Sequence, residues 1–142
     1  MFISLIGLGI NAPAFALEVK LHCSIRFVST HSNGHVQREN FTDLIDIQDD
    51  YEGVTIIPQS ENLMSVNTIK TPITLSVNNY SDRNKWHIIE TTQGKSGKIA
   101  RTSINIDRNT GILFYSQDWG HGKIMYSATG LCEKVDATKR KF

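Results

Sequence analysis

Residues 17–27, Leu17-Glu18-Val19-Lys20-Leu21-His22-Cys23-Ser24-Ile25-Arg26-Phe27, decide the fold class. Leu17, Val19, Leu21, Cys23, Ile25 and Phe27 put an apolar side chain at every second position, with polar residues between them. A strand alternates its side chains with a period of two, whereas a helix would scatter this set around its circumference. The segment is therefore a β-strand with one buried and one solvated face, and Cys23 lies on the buried one.

Working outward, the same alternation returns near the other end of the chain. Ile124, Tyr126, Ala128, Gly130 and Cys132 share one face. Between these two segments, Phe41–Ile47, Val54–Ile57, Ile73–Val77, Trp86–Ile89, Ile104–Ile106 and Ile112–Tyr115 read as short strands, and Leu63–Ile69 as a weaker one. The punctuation is turn chemistry: 48–53, 78–82, 93–97, 107–111 and 118–122 are rich in Asp, Asn, Ser and Gly. In Asp107-Arg108-Asn109-Thr110-Gly111 the aspartate can cap a turn and the glycine can take a left-handed conformation. Ser29–Asn40 is polar, contains Gly34, and reads as a long loop or loose hairpin. No amphipathic helix is present in the pattern. The prediction is an all-β fold, one antiparallel and mostly up-and-down sheet of about eight strands, closed into a barrel or a nearly closed sandwich.

The 142 residues, 39% hydrophobic and 20% charged, suit one globular domain, placed at 17–142. Fifteen basic residues stand against 14 acidic ones. Without a clustered positive excess, an electrostatic grip on nucleic acid is not expected. Lys139-Arg140-Lys141 reads as a solvated tail. Residues 1–16, MFISLIGLGINAPAFA, are apolar and uncharged and end in Ala14-Phe15-Ala16, a small-x-small cleavage pattern. They are predicted to be a secretory signal peptide, although the usual opening Lys or Arg is lacking. The run is short of the roughly 20 residues that span a bilayer, so no stable membrane insertion is expected after cleavage.

An exported chain with two cysteines points to one disulfide, Cys23–Cys132. It would tie the first strand to the last, the two edges that a meander leaves open, and so close the sheet. It would also occupy both thiols, the chain's strongest candidate nucleophiles.

Chemistry-bearing motifs are few. His31 and His35 flank Asn33-Gly34, a turn signal, so no helical face presents them to a metal. Asp49, Asp50 and Glu52 lack the spacing of a calcium loop. Nucleophile elbow, phosphate loop and zinc-hydrolase signatures are absent from the sequence. We expect no catalytic residue, no metal and no cofactor, and a monomer. Trp119 and His121, in Asp118-Trp119-Gly120-His121-Gly122, are the candidate partner-binding residues. A tryptophan at a hairpin tip presents an aromatic anchor to a partner or folds back to plug the barrel. Trp86, inside a strand, is expected in the core.

Leu21-His22-Cys23, the run Ser103–Gly111, and Gly130-Leu131-Cys132-Glu133-Lys134 followed by a terminal Phe142 carry a resemblance. The chain resembles small exported proteobacterial proteins of unknown function. That resemblance implies a periplasmic or secreted location and a β fold, and carries over no site residue. Three readings follow: a periplasmic module that binds an unknown protein or small molecule, an inhibitor of a secreted hydrolase, or a lipocalin-like carrier of an apolar ligand. Bacterial lysozyme inhibitors are similar in plan, but Ser96-Gly97-Lys98-Ile99-Ala100 lacks the tyrosine of their Ser-Gly-x-x-Tyr loop.

Overall fold

The computed structural model describes residues 17–120 and 124–135. The predicted signal peptide and His121 lie outside the described residues. Nine strands follow one another: β1 (Leu17–His31), β2 (Val36–Asp50), β3 (Gly53–Pro58), β4 (Val66–Asn67), β5 (Thr74–Asn79), β6 (Lys85–Gln93), β7 (Ile99–Asp107), β8 (Ile112–Asp118) and β9 (Ile124–Lys134). They form one antiparallel sheet, nearly closed into a barrel, in the order β4-β3-β2-β1-β9-β8-β7-β6-β5.

The alternation of β1 holds along its length: Val19, Leu21, Cys23, Ile25, Phe27 and Ser29 are buried while Lys20, His22, Ser24 and Arg26 are exposed. Inward side chains from the other strands meet them. Ile45, Ile47, Ile56, Ile88, Ile104 and Leu113 are fully buried, and with Val66, Trp86, Ile106 and Tyr115 they fill the interior. This leaves the barrel a packed core, the common outcome for a small sheet closed on itself.

Two sequence expectations sharpen. First, of the two readings of 29–40, long loop or loose hairpin, the structure shows the hairpin, and the segment is mostly strand. β1 and β2 pair from Leu17↔Asp49 to Thr30↔Val36, so they form one long hairpin with a tight tip at 31–35. Gly34 sits at φ 86° and donates its N–H to the His31 carbonyl at 2.9 Å. The polar composition of 29–40 arises because β2 there has no neighbour on its second side, and burial is low; strand content is set by pairing rather than by apolarity. In contrast, Leu63–Ile69 contains only the two-residue β4, while Leu63 turns inward to the core.

Second, the disulfide is confirmed but does not seal an opening. Cys23 and Cys132 sit directly opposite each other within a ladder that runs from Leu21↔Lys134 to His31↔Ile124. Their Cα atoms are 4.0 Å apart. This is a closely spaced, non-hydrogen-bonded pair, the cross-strand position at which two side chains come nearest each other. The edges left open belong to mid-sequence strands, β4 and β5. β4 approaches β6 and β7 instead of β5, and β5 lies outside the overlap with most of its residues exposed.

Candidate functional site

The up-and-down order gathers the connections at two ends. One end carries the turns 51–53, 80–84 and 108–111, and the other carries 31–35, 94–98, residues 118–120 after β8, and the long 59–65 link between β3 and β4.

The first end is capped by a side-chain cluster, with clefts of about 440 and 240 Å³ beside it. Trp86 is 3% exposed and donates its indole N–H to Asp49 Oδ2 at 3.0 Å. The Arg108 guanidinium lies 4.3 Å from the centre of the Trp86 ring and 3.8 Å from the same carboxylate oxygen. Each element of this cap answers a need of another: the indole N–H is buried only because an acceptor meets it, and the cation stacks on the ring while balancing the acid. The neighbouring Asp107 turn is held the same way. Its carboxylate accepts the N–H groups of Asn109 and Thr110 at 2.8 and 2.9 Å. Those bonds keep Asp107 below the usual carboxylate range.

At the second end the 59–65 link folds against the barrel. Asp43 is buried and accepts the main-chain N–H groups of Gln59 and Ser60 and the Ser60 hydroxyl. Met64 donates its N–H to the Tyr115 hydroxyl at 3.1 Å. Burial pushes the Tyr115 phenol up to about 12, against the opposing effect of the Met64 bond, so it stays neutral as an anchor for the link.

Around this link the barrel mouth stays open. The inner face there is unusually polar. Cross-strand register sets Glu90, Thr102, Gln117, Tyr126 and Ser29 side by side across β6, β7, β8, β9 and β1. Gln117 donates to the Thr102 hydroxyl at 3.3 Å. Desolvation raises the proton affinity of Glu90, the acid in this row. On the mid-barrel side of the row lie further rings: Phe27 stacks on Tyr126 with centroids 5.6 Å apart, and Phe41 lies 6.0 Å from Phe27.

Two clefts open onto these groups. One, of about 460 Å³, is lined by Trp119, Gln117, Lys98, Met64, Ile124 and Tyr126 among others. The second, of about 450 Å³, runs between Asn62 and the inner face of β1 and β2, with Phe27, Ser29, Gln37, Glu39 and Tyr126 in its walls. They share Phe27, Asn62 and Tyr126, so they form one continuous surface.

Trp119, singled out from the sequence, is half-buried in the first cleft. It neither fills the barrel nor projects freely. Sequence reasoning missed Phe27 and Tyr126 as site residues, because alternation marks an inward residue without telling whether it lies mid-barrel or at the mouth. It also missed the second cleft, whose outer wall is the part of β2 read as a long loop or loose hairpin. The Asn33-Gly34 turn following a long strand was the available signal. His31 and His35 rings are 6.1 Å apart at the hairpin tip, and no three metal-ligating side chains converge among the described residues. Both cysteines are held in the disulfide. What the mouth offers is aromatic stacking surface, hydrogen-bonding groups and the acids Glu39, Glu61 and Glu90. Comparison with protein-family models, with curated proteins and with solved structures returned no match.

Proposed function

We propose that this chain is a non-enzymatic binding module of the periplasm or the extracellular space, which grips a protein partner at the open end of its barrel. The observation that carries the reading is the continuous cleft pair around Phe27, Tyr126 and Trp119, set against an interior filled by side chains. Aromatic rings in partly desolvated pockets are the side chains that dominate protein interfaces. The filled interior weighs against the carrier reading, since a carried apolar ligand needs an enclosed space of roughly 300 Å³ or more. Export is supported by the apolar 1–16 segment with its Ala14-Phe15-Ala16 ending and by the Cys23–Cys132 disulfide, which suits an oxidising compartment. The resemblance to small exported proteobacterial proteins points to the same compartment.

The test uses the full chain expressed in a Gram-negative host. Fractionation should place it outside the cytoplasm, with the mature N-terminus at Leu17. Affinity capture from periplasmic extract should recover a specific partner with the wild type and with Phe114→Ala, which alters the exposed outer face. Recovery should fall at least tenfold with Trp119→Ala. Equal recovery by all three would reject the open end as the site.

The inhibitor reading keeps one supporting observation: the 94–98 loop and Trp119 stand at the same end, with Lys98 in the Trp119 cleft. Inhibition of a lysozyme or secreted protease by the wild type, lost in Trp119→Ala, would identify the partner as a hydrolase.

A further inference from the structure

Resting on the reading of the open end as the binding surface, we propose that the partner docks as an extended strand along the free edge of β2 between Val36 and Thr42. The backbone directions are fixed by two hydrogen bonds. His31 donates its N–H to the His35 carbonyl, and the register that continues from this pair makes the odd-numbered residues of β2 face β1. Gln59 donates its N–H to the Leu44 carbonyl, so the even-numbered residues face the other side. Pairing with β3 begins only at Ile45↔Pro58. Among the described residues, the main-chain N–H and C=O groups of Val36, Arg38, Asn40 and Thr42 therefore meet no strand on that side. They recur every ~7 Å, twice the rise per residue of a strand. Only another extended backbone matches that spacing of alternating donors and acceptors.

The side chains along the edge select among strands. Gln37 and Glu39 line the cleft that holds the Phe27–Tyr126 stack, with Arg38 at its rim, and Phe41 lies against Phe27; strand alternation sets Arg38 and Asn40 on the opposite face from these three. An added strand alternates in the same way, so its inward residues enter that cleft and its outward residues oppose Arg38. The occupant is an extended segment of another polypeptide, apolar on its inward side and acidic opposite Arg38. A second copy of this chain is disfavoured in two registers: two-fold antiparallel pairing centred on residue 38 sets Arg38 against Arg38, and centring on 39 sets Glu39 against Glu39, and like charges directly opposite destabilise a sheet. Centring on 40 sets Arg38 against Thr42, which leaves the acidic partner as the occupant that answers the Arg38 charge.

The probe is a phage-displayed random heptapeptide library, panned against the oxidised full chain. The best peptide is then synthesised plain and with alternate amides N-methylated. Asn40→Pro removes an edge-facing N–H at a position where proline suits an edge strand. The proposal expects at least tenfold weaker binding to Asn40→Pro. It also expects loss of binding when one set of alternate peptide amides is methylated and a change below about threefold for the other set. The methylation comparison leaves the protein untouched, so it decides the matter even if Asn40→Pro fails to fold. Binding that responds to Trp119→Ala and ignores both edge tests would overturn strand addition while leaving the open-end reading intact. Binding that ignores all of these changes would overturn both. No selected peptide, or a concentration-dependent dimer abolished by Asn40→Pro, would overturn the proposed occupant.

Discussion

The two tryptophans stand at opposite ends of one barrel and are treated in opposite ways. Trp86 is enclosed, its N–H bonded to Asp49 and its face covered by Arg108. Trp119 is half-buried in the wall of a cleft, beside a row of polar inner residues. Part of the difference is secondary structure: β3 ends at Pro58, so β2 is paired on both sides only toward the first end. The rest comes from what crosses each end. The first end is capped by Trp86 and Asp49 with Arg108 from the β7–β8 turn. The open end is only partly covered by the 59–65 link, anchored through Asp43 and Tyr115. A small barrel can leave one end under-packed if the other end and the middle supply the stability.

That division is best tested by removing parts of it in turn. The largest effect should follow reduction of Cys23–Cys132. The bond closes a loop spanning a sequence separation of 109 residues. Its loss should cost about 4–5 kcal/mol in the chain-entropy account, read as the shift of a urea denaturation curve with and without reductant. Trp86→Ala should come next, at about 3–4 kcal/mol, because it opens a cavity and strands the Asp49–Arg108 pair. Trp119→Ala should cost under about 1 kcal/mol in the same denaturation assay. Equal costs for the two tryptophans would break the comparison. Gly111→Ala, at φ 80° with a new Cβ directed at the Cys132 carbonyl, should cost about 1–3 kcal/mol. It would show that the β7–β8 turn is part of the closed end, since Gly111 also accepts the Cys132 N–H at 2.8 Å.

The smallest effect sharpens the open end. Burial raises the Glu90 carboxyl above its unfolded value, so the folded protein binds that proton more tightly. Stability from this group therefore falls as pH rises from below the unfolded value through the folded one, and the deficit remains at neutral pH. Glu90→Gln should raise the melting temperature by a few degrees at pH 7 and lose that advantage at pH 3, followed by circular dichroism. A gain of equal size at both pH values would mean that charge is not the cause.

Much of this was legible from residue order. The alternation in Leu17–Phe27 and in Ile124–Cys132 gave two strands and their buried faces, and the turn residues gave most of the hairpins. Gly111 was read as a left-handed turn residue and stands at φ 80°. The β2 extension was legible only as one of two alternatives, a loose hairpin or a loop, because an edge strand with little burial carries no apolar alternation to decide between them. The site was half legible: Trp119 drew notice as an aromatic in a turn, whereas Phe27 and Tyr126 looked like any other inward residue.

By itself, then, the sequence determined which residues turn inward, where the chain reverses, and that Cys23 and Cys132 face the same interior. These follow from strand periodicity and turn chemistry, which act over a few residues. The tie between first and last strand was expected from the cysteines; only the tertiary structure decided that β1 and β9 share one long ladder, that the opening falls between β4 and β5, and that one end carries the Trp86–Asp49–Arg108 cap while the other gathers Phe27, Tyr126 and Trp119. Those outcomes depend on register between distant strands. A ladder can hold apolar faces together in many sheet orders, and only packing the whole barrel selects one.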